Sequence, residues 1–181
     1  MRSFIALEVP PLAPELPWPR PPERHLTLRF LGEVDPERVP ALIGAIRAAV
    51  EGTAPFEVEY RSAGFFPPSG APRVAWVGVG EGRAELLALA GRLEAALGPL
   101  GWAPEGRGFH PHVTFYRLRG REEALRLQRF IDGLGDRPLG RARVTEVILF
   151  SSQLGAGGAR HTALERVPLP GRSGASPVGA A

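Results

Sequence analysis

The 181-residue sequence contains no cysteine, and all 22 of its basic residues are arginines. Without cysteine there are no disulfides, no thiolate nucleophiles and no cysteine-ligated metal centres. Without lysine there is no Schiff-base chemistry, no lysine-dependent nucleotide transfer and no P-loop. No apolar run reaches the roughly 18 residues of a membrane span. The opening Arg2-Ser3-Phe4-Ile5-Ala6-Leu7-Glu8-Val9 is not laid out as a secretory signal, since Glu8 and a proline cluster end the apolar run at once. The expected location is therefore the cytoplasm, with no membrane partner. A net charge of +3 permits a phosphate-bearing partner without demanding one.

What is present is rich in Arg, Gly, Pro and Ala, as a GC-rich genome would give, with enough apolar residues for one core. One domain over 1–169 is expected. Residues 170–181 are small, polar and aperiodic, and read as a flexible tail. The stretch 10–22 is proline-rich with Trp18 in its middle, and reads as an extended surface loop. Strands are expected over 2–9, 25–32, 56–66, 73–79, 112–117, 143–150 and 161–168. Asp35-Pro36 is placed to open a helix that Gly52 stops, with Val39, Leu42, Ile43, Ile46 and Val50 as its apolar stripe. Further helices are expected over 81–97 and 121–134. The fold class is α+β: a duplicated, bilobal arrangement of two mostly antiparallel sheets facing a central cleft, with helices packed outside.

The duplication is visible in one short pattern. His25-Leu26-Thr27-Leu28-Arg29-Phe30 and His112-Val113-Thr114-Phe115-Tyr116-Arg117 both read His, apolar, Thr, apolar. Period-2 alternation puts His25 and Thr27 on one strand face, and Leu26, Leu28 and Phe30 on the other. The same parity pairs His112 with Thr114. It also turns Arg29 and Tyr116 toward the cleft and Arg117 away from it, unless a bulge intervenes. An edge salt bridge is an equally good role for Arg29.

Histidine, with an unperturbed pKa of about 6.5, can accept or donate a proton near neutrality. Two in one cleft divide the labour that phosphodiester cleavage needs: one deprotonates the attacking oxygen, the other protonates the leaving oxygen. Threonine hydroxyls and arginines can hold the non-bridging oxygens. One His-x-Thr strand alone is more often structural; two copies with matching parity favour a catalytic pair. His110-Pro111-His112 lacks a third ligand or acidic cluster for a metal, so His110 reads as a residue of the cleft rim. His161, without a motif partner, reads as structural. Phe65, Phe66, Trp76, Trp102 and Phe109 are core candidates, of which one or two could stack on a base.

These residues resemble the two signature motifs of the 2H phosphoesterases, and within them the RNA 2′,3′-cyclic phosphodiesterase (2′-5′ RNA ligase) branch. Arg2-Ser3-Phe4-Ile5-Ala6-Leu7, Phe66-Pro67, Pro72-Arg73-Val74 and Ser151-Ser152-Gln153-Leu154 with Gly157-Gly158-Ala159-Arg160 extend the likeness over about 2–168. The resemblance implies cofactor-free, metal-independent hydrolysis of RNA 2′,3′-cyclic phosphate ends to 2′-phosphate by a monomer, with reverse 2′-5′ ligation open to it. His25 would protonate the departing 3′ oxygen and His112 would activate water. Thr27, Thr114 and Arg117 would hold the phosphate. Two alternatives stand beside this: a 2H esterase for another phosphodiester, and a binding module that holds RNA 3′ ends without turning them over.

Overall fold

The computed structural model describes residues 1–13, 24–68, 70–106, 108–155 and 158–171. Most of the proline-rich loop and nearly all of the expected tail lie outside these described residues. Among these residues, eight strands and three α-helices follow in the order β1 (Arg2–Glu8), β2 (His25–Glu33), α1 (Val39–Val50), β3 (Phe56–Phe66), β4 (Val74–Val79), α2 (Arg83–Leu97), β5 (His112–Arg117), α3 (Arg121–Leu134), β6 (Pro138–Val144), β7 (Glu146–Gly155) and β8 (Gly158–Pro168).

The strands form one antiparallel sheet in the order β6-β3-β4-β5-β2-β1-β7-β8. Its two four-strand halves meet at the motif strands, through the single register pair Leu26↔Val113. The two expected sheets are thus halves of one curled sheet, joined edge to edge. The order within each half is also related. Each motif strand is flanked by the strand that precedes it in the chain, β1 beside β2 and β4 beside β5.

Leu26 and Val113 are wholly buried and point into the main core. Helices cover that face. Asp35 caps the α1 end by accepting from the Glu37 amide at 3.0 Å, and the first turn over Pro36–Arg38 is 3₁₀. Proline loses nothing there, because a first-turn N–H has no intrahelical acceptor. Leu42 and Ile46 of α1 and Leu86, Leu89, Leu93 and Leu97 of α2 are all fully buried against the sheet. Each such leucine removed from water stabilises the fold by about 1.5–3 kcal/mol.

One strand escapes the sequence pattern. The expected strand over 143–150 is two, β6 and β7, either side of Thr145. β6 is an edge strand that opens on Pro138, carries Gly140, and alternates arginines outward, so it has no apolar run to read. Its cross-strand charge pairs explain it instead. Arg141 reaches Glu59 at 2.7 Å and Arg143 reaches Glu57 at 3.3 Å, both on β3.

A second, smaller apolar cluster of Phe4, Ala6, Ile148 and Phe150 lies apart from the main core. Register pairs Phe4 with Phe150 and Ala6 with Thr27, which puts this cluster on the same face as the motif threonine. It floors the site.

Candidate active site

With Leu26 and Val113 turned into the core, the antiparallel register carried one residue either way sets His25 opposite Thr114 and Thr27 opposite His112. Paired residues share a face. The four side chains therefore form a quartet on the face away from the main core, all of them half-buried. Histidines occupy one diagonal and threonines the other. Diagonal neighbours on adjacent strands stand about 7–8 Å apart or somewhat closer at Cβ. Only one rung joins the two strands.

Each motif strand then carries a bulge at the same place. On β2, Thr27 pairs Ala6 and Arg29 pairs Ile5, so Leu28 has no partner on β1. On β5, Thr114 pairs Trp76 and Tyr116 pairs Ala75, so Phe115 is the extra residue at this step of the register. An extra residue reverses the alternation beyond it. Four assignments from simple parity are corrected as a result. Arg29 is buried, not in the cleft: it holds Glu94 at 3.1 Å and Glu105 at 3.6 Å, and donates to the Ala103 carbonyl. Phe30 leaves the apolar face and is 63% exposed. In the other half Tyr116 packs against the main core and donates to Glu123 at 3.4 Å. Arg117 is turned to the side of Trp76 and Thr114, exposed at the strand end. Phe30 and Arg117 thus occupy matching positions, five residues after their histidines.

The walls around the imidazoles differ. His112 meets the ring of Phe66 edge-on at 5.0 Å, and Phe66 stacks on Trp76 at 5.2 Å. His110 completes this wall, 5.1 Å from Trp76, as an exposed residue of the rim. Trp76 lies over glycine: a Cβ on Gly64 would fall 2.6 Å from its ring. On the other side His25 meets Phe4 at 4.8 Å and the ring of His161 edge-on at 5.1 Å. His161 therefore belongs to the site wall, which its sequence context did not reveal. Only the β7–β8 pairing of Ser152 with His161 brings it there. All 4 histidines of the chain stand in this one cleft.

The state of His112 follows from its surroundings. Its Nδ1 lies 2.7 Å from the His110 carbonyl oxygen, which can only accept. Nδ1 is thus the protonated nitrogen, and Nε2 keeps its lone pair. Burial lowers the His112 pKa below its usual value, against the opposing pull of that carbonyl. A neutral imidazole with a free Nε2 is suited to accept a proton. Among the described residues, no group of three His, Asp or Glu stands together as a metal site would require. No helix among them is long and apolar enough to cross a membrane.

Comparison with known proteins places this geometry in a lineage. The family model described as the 2′-5′ RNA ligase superfamily matches residues 17–156. An Aeropyrum pernix protein named RNA 2′,3′-cyclic phosphodiesterase is 40% identical over 130 residues, covering 72% of this chain and 73% of its own. An Aquifex aeolicus protein of the same name is 31% identical over 160 residues, covering 85% and 82%. Among solved structures, a Thermus thermophilus protein superposes with a TM-score of 0.73 at 28% identity, over 94% of this chain and 99% of its own. Escherichia coli LigT complexed with 3′-AMP gives 0.69 at 28% identity, over 93% and 98%. With the motif quartet, the sheet order and these relatives in agreement, the chain belongs to the 2′-5′ RNA ligase superfamily.

Proposed function

We propose that the protein is a metal-independent RNA 2′,3′-cyclic phosphodiesterase in which His112 is the general base and His25 the general acid. The observation that carries this reading is the quartet: one rung between two strands brings two imidazoles and two hydroxyls onto one face. The names of the relatives supply the substrate class.

The cyclic phosphate sits between the imidazoles, its non-bridging oxygens held by the Thr27 and Thr114 hydroxyls and by Arg117. Nε2 of His112 takes a proton from water, whose oxygen bonds to phosphorus. The bond from phosphorus to the 3′ oxygen breaks, and His25 gives that oxygen its proton. The product carries a 2′-phosphate and a 3′-hydroxyl. His112 ends protonated and His25 neutral, and exchange with solvent resets both. With a 5′-hydroxyl in place of water, the same steps bond phosphorus to the 5′ oxygen, break its bond to the 3′ oxygen and leave a 2′-5′ linkage beside a 3′-hydroxyl, so ligation needs no nucleotide activation.

The test is hydrolysis of a short RNA ending in 2′,3′-cyclic phosphate, in EDTA, by wild type, His25→Ala and His112→Ala. Each substitution is expected to lower turnover by about 10²–10⁴, the usual worth of one acid or base. The double variant is expected to lose little more, because the two act as a unit. Full turnover by either single variant would refute the pair. A wild type that binds the RNA without product would make it a binding module for RNA 3′ ends.

A further inference from the structure

Several guanidiniums among the described residues are matched by carboxylates: Arg47 with Glu165, Arg61 with Glu59 and Asp136, Arg166 with Glu8 and Glu146. Others are not, and three of these stand together beyond the open end of β5. Arg73, Arg117 and Arg119 are exposed there and make no ion pair with a carboxylate among the described residues. The backbone holds them together. Val74 pairs with Arg117, and the Leu118 amide donates to the Arg73 carbonyl at 2.9 Å. Arg117 and Arg119, two residues apart, lie within about 7 Å along the chain. The carboxylate of Glu123, which could quench them, instead accepts from the Arg119 amide at 2.7 Å and from the Tyr116 hydroxyl.

The matching place in the other half has no such cluster. Phe30 stands where Arg117 does, and Glu33, further along β2, pairs with the N-terminal ammonium at 3.2 Å. One end of the cleft gathers three such guanidiniums and the corresponding end has Arg2, across from Glu33. A terminal cyclic phosphate needs only the quartet and one arginine. Two further uncompensated guanidiniums beside Arg117 fit phosphates that precede the terminal one.

We infer that Arg73 and Arg119 form a backbone-phosphate track that leads an RNA strand out of the cleft past Arg117, so that polynucleotide ends are preferred over mononucleotides. This rests on the proposed function, since the strand must end at the quartet. Neutralising phosphates with arginine releases counterions, and for single strands the salt slope changes by about 0.7 per phosphate contact.

The experiment compares a 2′,3′-cyclic mononucleotide with a six-nucleotide RNA ending in 2′,3′-cyclic phosphate, for wild type, Arg73→Gln and Arg119→Gln, between about 50 and 200 mM salt. Binding of a fluorescent six-nucleotide RNA with a 3′-phosphate is followed in parallel by anisotropy, and folding by circular dichroism. Each variant is expected to lower kcat/KM for the hexamer several-fold, through KM, and to flatten its salt slope by about 0.7. Turnover of the mononucleotide stays as in wild type, and hexamer binding weakens in step. Equal losses on both substrates would overturn the track, placing these arginines at the terminal phosphate or in the fold. Unchanged hexamer kinetics and binding would overturn it too. If wild type hydrolyses neither substrate, the catalytic reading fails, and the anisotropy arm alone then upholds or overturns the track.

Discussion

Arg29 separates the two roles an arginine beside a catalytic strand can have. Strict alternation aims it at the phosphate; the bulge at Leu28 sends it into the protein, where its side chain is 8% exposed. Arg29→Met keeps the stem and most of the volume, so little packing is lost. What disappears is the charge-assisted hydrogen bond to the Ala103 carbonyl and the ion pairs with Glu94 and Glu105. A fully buried pair broken on one side costs about 3–5 kcal/mol. These carboxylates are 37% and 45% exposed, so water takes up much of the loss. Glu94 also keeps the Glu105 amide at 2.8 Å.

A net cost of about 2–3 kcal/mol remains, most of it from the charge-assisted hydrogen bonds the guanidinium no longer makes. For a chain of this size that lowers Tm by about 5–10 °C. Calorimetry reads the drop directly. Cyclic-phosphate hydrolysis measured well below the new Tm is expected to keep kcat/KM within about twofold, since transition-state contacts are untouched. The opposite pattern, an unmoved Tm with kcat/KM down tenfold or more, would put Arg29 on the phosphate and refute the bulge argument.

Arg117→Met should give that opposite pattern, with Tm unchanged and kcat/KM reduced at least tenfold, because its side chain is exposed and faces the quartet. For pH, burial lowers the pKa values of His112 and His110, so the unfolded chain binds their protons first. Stability is full above the unfolded value of about 6.5 and falls as pH drops below it. Tm measured from pH 8 to 5 should decline less steeply in His112→Gln than in wild type; an identical decline would count against a buried neutral imidazole. The same shift sets the acid limb of the rate profile below about 6.5. Gly82, at the start of α2, has φ +82°, and a Cβ there would meet the Glu57 carbonyl oxygen. Gly82→Ala should cost at least about 2 kcal/mol, a fall in Tm of about 4 °C or more, and a wild-type Tm would show that the turn relaxes freely.

The sequence discloses the site's pieces better than their joints. The repeated His-x-Thr pattern is legible because each copy sits before its bulge, where alternation still holds. Past Thr27 and Thr114 the same rule misassigns Arg29, Phe30, Tyr116 and Arg117, since an inserted residue leaves no compositional mark in a run such as Leu28-Arg29-Phe30. β6 is hidden for a related reason: its register rests on Arg141 and Arg143 pairing across the sheet with β3, which a local window does not contain. His161 enters the site only through the β7–β8 hairpin. Helices with full turns of periodicity, such as Leu86, Leu89, Leu93 and Leu97 on α2, are read directly.

The paired bulges also make the cleft a dial with two settings. Approximate two-fold symmetry leaves the quartet nearly unchanged when turned half a revolution, so the quartet alone gives a substrate no compass. Phe30 and Arg117, at the two equivalent points where the strands step out of phase, supply north and south. Their exchange would invert the bearing of the bound strand, and with it which histidine faces the leaving oxygen. In a duplicated enzyme, the direction of chemistry can be written in two residues that touch neither proton.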